Sequence, residues 1–164
     1  MTCLRRLGRS GERGLTLIEL VIAMALLAIL AAAVLPMAEV SVRRTKELEL
    51  KRNLRIMRTA IDDYKADFDK AVKEKKITAA INESGYPESL ETLLEGDDFG
   101  GLYAYKRKYL RRIPRDPFDE YDDGWGLRAY ADDADSTVHG GGDVYDVYSQ
   151  SDGIGLDGTP YNTW

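Results

Sequence analysis

A long apolar segment with one acid near its start constrains this chain of 164 residues more than any other feature. No charged residue occurs from Leu20 to Ala38, and at about 1.5 Å rise per residue this stretch nearly crosses a hydrocarbon core of about 30 Å. Glu19 directly precedes it, where an unpaired carboxylate is costly unless it reaches the interface. The segment therefore predicts a membrane-spanning helix whose acid has a charged partner, the alternative being a tolerated interfacial acid.

The residues before this segment form a basic leader that ends at Gly14. Residues 1–14 contain four arginines and one acid, so they carry +3 of the formal net charge of −5 and their removal leaves −8. Arginines before a span favour a cytoplasmic N-terminus, although Arg43, Arg44 and Lys46 beyond the span weaken that signal. Cleavage after Gly14 would also remove Cys3, the only cysteine, so a processed chain would contain no disulfide.

Four parts are predicted along the chain: a leader (1–14), a transmembrane helix (15–38), an amphipathic helix (39–76) and a globular head (77–164). Glycine is absent from 15–76 and Pro36 is the one helix breaker there, which predicts a single kinked helix.

The amphipathic helix has one clear apolar face. Its members recur in steps of three and four residues. They are Leu50, Leu54, Met57, Ile61, Tyr64, Phe68 and Ala71. We expect the head to pack on this face and residues 39–49 to stand clear of it; a short coiled-coil seam is the alternative.

The head is predicted to contain a short helix and a small antiparallel sheet. The helix lies within residues 84–96, with Pro87 in its first turn and Gly96 at its end. The best strand candidates are residues 125–130 and 143–149, which are aromatic and β-branched between Gly and Asp clusters. A long helix with a small sheet makes the predicted fold class α+β.

Cleavage after Gly14 would create the missing partner for Glu19, namely the new α-amine of Leu15 on a neighbouring, axially shifted copy. The sequence Gly14-Leu15-Thr16-Leu17-Ile18-Glu19 with its apolar continuation resembles the prepilin signature of the type IV pilin-like family. The resemblance implies that a prepilin peptidase cuts between Gly14 and Leu15 and methylates the Leu15 amine. It also implies that Glu19 guides docking into a helical filament and that Pro36 takes the family's helix-breaking position. Leu15 departs from the family, which more often has Phe or Met there.

Three stretches of the head extend the likeness. "RKYLRRIPRDPF", "WGLRAY" and "DVYDVYSQSDGIGLDGTPYNTW" resemble the head of the major pseudopilins of bacterial type II secretion. The resemblance implies a type IV pilin-like α+β fold and a single-pass inner-membrane precursor with a periplasmic head. It further implies assembly into a periplasmic pseudopilus with minor pseudopilins and an inner-membrane assembly platform, which helps drive protein export through the outer membrane.

The last third of the chain is acidic, with twelve acids and only Arg128 as a base from Asp116 onward. On the residues alone, solvated turn aspartates explain it better than an ion site, and the spacing does not match an EF-hand. In the resembled family the loop after the last strand binds Ca²⁺. That resemblance implies Ca²⁺ ligands at Asp152 and Asp157, with a third from the backbone carbonyl of Gln150.

Two other functions are compatible with part of this sequence. A type IV pilus subunit for adhesion or motility is the nearest, weakened by the absence of cysteine from the head. A soluble protein released by signal peptidase near Ala33 or Ala38 is disfavoured by Glu19 inside the apolar region.

Nucleic-acid binding and catalysis have less support. The basic run at 106–115 belongs to an acidic head, so we expect its arginines to be solvated or to meet carboxylates of neighbouring subunits. Enzyme activity is not expected, since a processed chain has no thiol nucleophile and His139 has no positioned partner in the sequence.

Overall fold

The computed structural model describes residues 14–80, 83–121 and 123–164, apart from the side chains at positions 33 and 35. Most of the predicted leader (1–13), including Cys3, therefore lies outside the described residues. The elements are α1 (Leu17–Lys73), α2 (Leu90–Glu95), β1 (Trp125–Arg128), β2 (Asp146–Ser149) and a short 3₁₀ helix (Tyr161–Thr163). A long N-terminal helix and a small antiparallel sheet give the α+β, type IV pilin-like fold that the sequence predicted.

The chain divides into two compact units at Ser41 and Val42. In the N-terminal unit, α1 continues through Pro36 without a break. Its apolar side chains are exposed wherever they are described, and α1 is the one helix in the described residues that is long and apolar enough to cross a membrane. These properties fit a single-pass membrane anchor.

The second unit is built on the predicted apolar face of α1. All seven residues of that face are buried, from fully buried Leu50 and Ala71 to Tyr64 and Phe68 at 8% exposure. Burial of each large apolar side chain contributes about 1.5–3 kcal/mol, so this face is the main anchor of the head. The helix ends at Lys73, where Lys76 donates its N–H to the carbonyl of Ala71.

Segments from the whole head cover this face of α1. They contribute large apolar side chains from α2, from the loops and from both strands. The principal ones are Leu90, Leu93, Phe99, Leu110, Trp125, Val144, Val147 and Tyr161. The described residues of the head therefore share one hydrophobic core with α1, which runs along that helix.

The two strands form a two-stranded antiparallel sheet in which Trp125 pairs with Ser149 and Arg128 with Asp146. Both strands are shorter than predicted. The ladder stops because the next two amides on the first strand donate to side-chain carboxylates: Ala129 to Asp132 (2.7 Å) and Tyr130 to Asp143 (2.9 Å).

The start of α2 was also predicted incorrectly. The helix begins at Leu90 behind an extended Ser89, so Pro87 does not lie in its first turn. Pro87 is instead buried, and its carbonyl accepts the N–H of Val144 at 2.8 Å. A long-range backbone hydrogen bond, which no local pattern reveals, fixes the proline outside the helix.

Candidate functional site

The predicted cleavage bond lies just before α1. Gly14, Leu15 and Thr16 precede the first helical residue, and Leu15 is 73% exposed. A Cβ placed on Gly14 would meet no atom of the described residues within 4 Å. The bond between Gly14 and Leu15 is therefore open in the structure, and no helical hydrogen bond within α1 has to break before a peptidase can reach it.

Glu19 occupies the first turn of α1. Its backbone N–H donates to Oγ1 of Thr16 at 3.3 Å, as in a helix N-cap. The carboxylate is exposed and forms no ion pair within the described part of the chain. A first-turn acid gains from the positive end of the helix dipole, which offsets part of the cost of an apolar environment. Pro36, further along, lacks the N–H that the carbonyl of Ala32 would otherwise receive.

The three predicted calcium ligands differ in their availability. Asp152 is exposed. Asp157 is engaged: its Oδ1 accepts from Oγ1 (2.6 Å) and N (3.0 Å) of Thr159, and its Oδ2 lies 3.7 Å from Nζ of Lys51. The hydrogen bonds from Thr159, aided by Lys51, lower the pKa of Asp157. The side chain of Gln150 donates to the carbonyl of Gly124 at 3.3 Å.

Several carbonyl oxygens of this loop already accept hydrogen bonds. The carbonyl of Gly153 accepts from N of Tyr161, that of Gly155 from N of Gly158, and that of Ile154 from the guanidinium of Arg43. Among the described residues, no group of three or more Asp, Glu, His or Cys side chains is placed to hold a metal. An ion at Asp152 would therefore need backbone carbonyls, such as that of Gln150, and water to complete its coordination. Asp157 is a poor ligand in this conformation because its carboxylate is already engaged.

The same loop contacts α1 through residues that were predicted to stand clear of the head. Glu47 is only 8% exposed, and its Oε1 accepts from N of Leu156 (2.7 Å) and from the hydroxyl of Tyr161 (3.0 Å). Arg43 donates to the Tyr161 hydroxyl (3.2 Å) and to the carbonyl of Ile154. The prediction for residues 39–49 was wrong here because polar contacts extend the apolar face. Glu47 precedes Leu50 by three residues, and this shared face was the available signal.

A second polar cluster joins the basic run to α1. Buried Asp67 accepts from the hydroxyls of Tyr103 (2.7 Å) and Tyr109 (2.5 Å) and from the guanidinium of Arg107 (2.7 Å). Burial and the bond to Asp67 together raise the pKa of Tyr109. Arg107 is thus paired within its own chain, so the expectation of a solvated or intersubunit role was wrong for this arginine.

A third ionic contact fastens the sheet to α1. Arg58 donates to Oδ1 of Asp146 at 2.6 Å and to the carbonyl oxygen of Trp164 at 2.7 Å. Arg128 approaches the other oxygen of Asp146 at 3.4 Å. Two arginines therefore neutralise one acid of the acidic tail without an added cation.

A comparison with known protein families gives a match to an N-terminal sequence motif. The model described as "Prokaryotic N-terminal methylation motif" matches residues 9–35, a stretch that contains Gly14, Leu15 and Glu19. A search of curated proteins and a search of solved structures returned no match. The motif supports a type IV pilin-like protein, with processing by a prepilin peptidase and assembly into filaments, and it indicates a structural subunit. Together with α1 it fits a single-pass protein anchored in the membrane.

Proposed function

We propose that this chain is a structural subunit of a type II secretion pseudopilus, the major pseudopilin. The observation that carries the proposal is the combination of an open Gly14–Leu15 bond, Glu19 in the first helical turn and an exposed apolar helix behind it. Prepilin peptidase cuts that bond and methylates the Leu15 amine. The cleaved subunits then polymerise with minor pseudopilins on an inner-membrane assembly platform.

Electrostatics explain how one subunit selects the position of the next. The amine of Leu15 on one copy meets the carboxylate of Glu19 on its neighbour, and each charge neutralises the other in an apolar interface. Glu19 follows Leu15 by four residues and lies inside α1, which begins at Leu17, so the pair requires an axial offset between copies. Such a buried pair fixes register more than it adds stability.

The four parts of the chain take separate roles in this proposal. Residues 1–14 are the leader that is removed, and residues 15–38 form the membrane anchor and later the filament core. Residues 39–76 carry the head, residues 77–164, into the periplasm. Pro36 lies inside the filament core, where a missing helical hydrogen bond allows α1 to adapt to its neighbours.

A type IV pilus subunit for adhesion or motility is the alternative that shares the same processing. We favour the pseudopilus because the head contains no cysteine, whereas many such pilins close their last loop with a disulfide. The three head stretches that resemble major pseudopilins support the same choice.

Mass spectrometry of the membrane-extracted protein tests the proposal directly. We expect a mature chain that begins with N-methylated Leu15. A start between Ala32 and Glu39 would instead show cleavage by signal peptidase and a secreted product, and would exclude the filament subunit.

Separately, we propose that Ca²⁺ binds weakly at Asp152 with help from the carbonyl of Gln150. The exposed Asp152 carboxylate and the resemblance of this loop support the site. Asp157 contributes only if its contacts with Thr159 and Lys51 are released.

A further inference from the structure

A basic groove with an apolar floor lies between α1 and the segment that follows the Asp67 cluster. It has a volume of about 680 Å³. Leu48 (63% exposed) and Ile56 (41% exposed) supply its apolar surface, and Arg52, Arg111 and Arg112 supply its charge against one acid, Glu49. None of the three arginines forms an ion pair within the described ranges. The groove thus combines exposed apolar area with uncompensated positive charge.

The walls of this groove are fixed by hydrogen bonds. Asn53 of α1 donates to the carbonyl of Arg115 at 3.0 Å, and Nε1 of Trp125 donates to the carbonyl of Pro114 at 2.8 Å. A preformed groove of this kind loses little conformational entropy when a partner binds.

The same chain carries a segment with the complementary chemistry. Tyr121 is 84% exposed, more than any other aromatic side chain in the described residues, and Glu120 and Asp123 lie beside it. Asp119 holds this loop in shape by accepting from N of Tyr121 (3.0 Å) and N of Gly124 (2.9 Å). The structure therefore presents an exposed aromatic ring whose backbone N–H is bonded to Asp119, with acids on both sides of it in the sequence.

We propose that Tyr121 of one copy docks in the groove of a second copy, with the neighbouring acids facing Arg52 and Arg111. Tyr121 does not line the groove of its own chain. Two different, complementary patches on one chain make a heterologous contact, and such contacts build open helical assemblies when the rotation does not close. The ring provides the buried area, while the exposed charges contribute orientation more than affinity.

The acids beside Tyr121 make it a better match to the basic groove than the other exposed tyrosines. Tyr105 is also well exposed, but the exposed base Lys106 follows it directly, and the arginines of the groove would repel that charge. Tyr130 packs on Tyr86 with ring centroids 5.6 Å apart, so its ring is already partly used.

This contact deepens the proposed function and rests on it, because the second copy is the neighbour in the filament. Apolar helices that already hold subunits together raise the effective concentration of the heads, so a weak head contact is sufficient.

Photo-crosslinking in membranes of cells that carry the assembly machinery tests the contact. With p-benzoylphenylalanine in place of Tyr121, we expect crosslinked dimers whose joined peptides fall in 48–56 or 109–114. The same analogue in place of Tyr105 is the control, and its dimer yield should be at least about tenfold lower. Arg52→Glu should lower the Tyr121-site yield by about tenfold, and adding Glu120→Lys should restore it; Arg44→Glu, outside the groove, should have no effect.

The possible results distinguish a failure of the Tyr121 contact from a failure of the proposed function. Filaments with equal crosslinking from positions 121 and 105, or crosslinks that map outside the groove, would overturn the docking of Tyr121 and leave the filament subunit intact. If no filaments form and no methylated Leu15 is found, the proposed function fails and the contact fails with it.

Discussion

The hydroxyl of Tyr161 lies 3.0 Å from Oε1 of Glu47, and this contact joins the last loop of the chain to the beginning of the head-bearing part of α1. Tyr161 is buried, and its ring stacks on Phe118 with centroids 4.1 Å apart. Burial, together with Glu47, raises the pKa of Tyr161.

Tyr161→Phe should destabilise the head. The change removes a hydroxyl that Glu47 and Arg43 both contact, and it leaves a buried carboxylate with one fewer donor, a loss of about 1–3 kcal/mol. We expect a lower melting temperature by circular dichroism of the full chain in detergent. Tyr105→Phe changes an exposed ring and is the matched control. Equal melting temperatures for the two variants would contradict the role of this contact.

Asp67→Asn should destabilise the head. It removes the charge that accepts from Tyr103, Tyr109 and Arg107, and since Arg107 is partly exposed and can be solvated, we expect a loss of about 1.5–3 kcal/mol, as for hydrogen bonds to a charged group. Chemical denaturation of the full chain should show this loss, with Asp63→Asn, exposed on the same helix, as the control. A change below about 1 kcal/mol for Asp67→Asn would mean that the cluster is dispensable.

Stability should fall at alkaline pH. Burial raises the pKa of Tyr64 to about 12 and, with Asp67, raises that of Tyr109 further, whereas an unfolded tyrosine ionises near pH 10. Because the folded state retains protons that the unfolded state releases, the contribution of these groups is complete below about pH 10 and declines as the pH rises through the folded pKa values. Denaturation between pH 8 and 12 should show this decline.

Tyr64→Phe is the variant that tests this origin of the alkaline decline. We expect a shallower decline than in the unaltered chain, because one titrating group is removed. An identical slope would show that Tyr64 does not contribute.

Glu19→Ala should abolish filament assembly while processing at Leu15 continues. The carboxylate is the proposed partner of the neighbour's amine, and its position in the first turn does not affect the head core. Electron microscopy of sheared filaments together with mass spectrometry of the mature N-terminus measures both effects. Glu39→Ala, just beyond the apolar stretch, is the control and should assemble normally; normal assembly of Glu19→Ala would refute the docking role.

Calcium should raise the melting temperature of the full chain by a few degrees. At a free calcium concentration of about 100 times Kd, binding at a single site raises the free energy of unfolding by about 2.7 kcal/mol. EDTA should reverse the rise, and Asp152→Asn should remove it. Thermal scans that are identical with calcium and with EDTA would eliminate the site.

The sequence predicted the features that rest on local periodicity. The seven apolar residues from Leu50 to Ala71 are buried because a face that repeats every three or four residues must be covered. The start of α2 and the end of the first strand were missed. Pro87 bonds to the distant Val144, and the amides after Arg128 donate to the side chains of Asp132, three residues on from Ala129, and Asp143, thirteen residues on from Tyr130.

The polar contacts of the head were also not predicted, because they join residues that are far apart in the sequence. Glu47, Asp67 and Arg58 find partners that lie 36 to 114 residues away along the chain, and no spacing rule links such pairs. The one sequence signal was an acid in register with a predicted apolar face, as at Glu47, which precedes Leu50 by three residues.

The contact of Glu47 with the last loop also has a mechanical consequence. The head grips α1 from Arg43 to Ala71, about 42 Å of helix at 1.5 Å per residue, by polar bonds at one end and apolar packing along the rest. A pull along the helix axis therefore loads these attachments together in shear. Because the attachments share such a load, we expect the head to stay folded on α1 under axial force better than under a force that detaches it from one end.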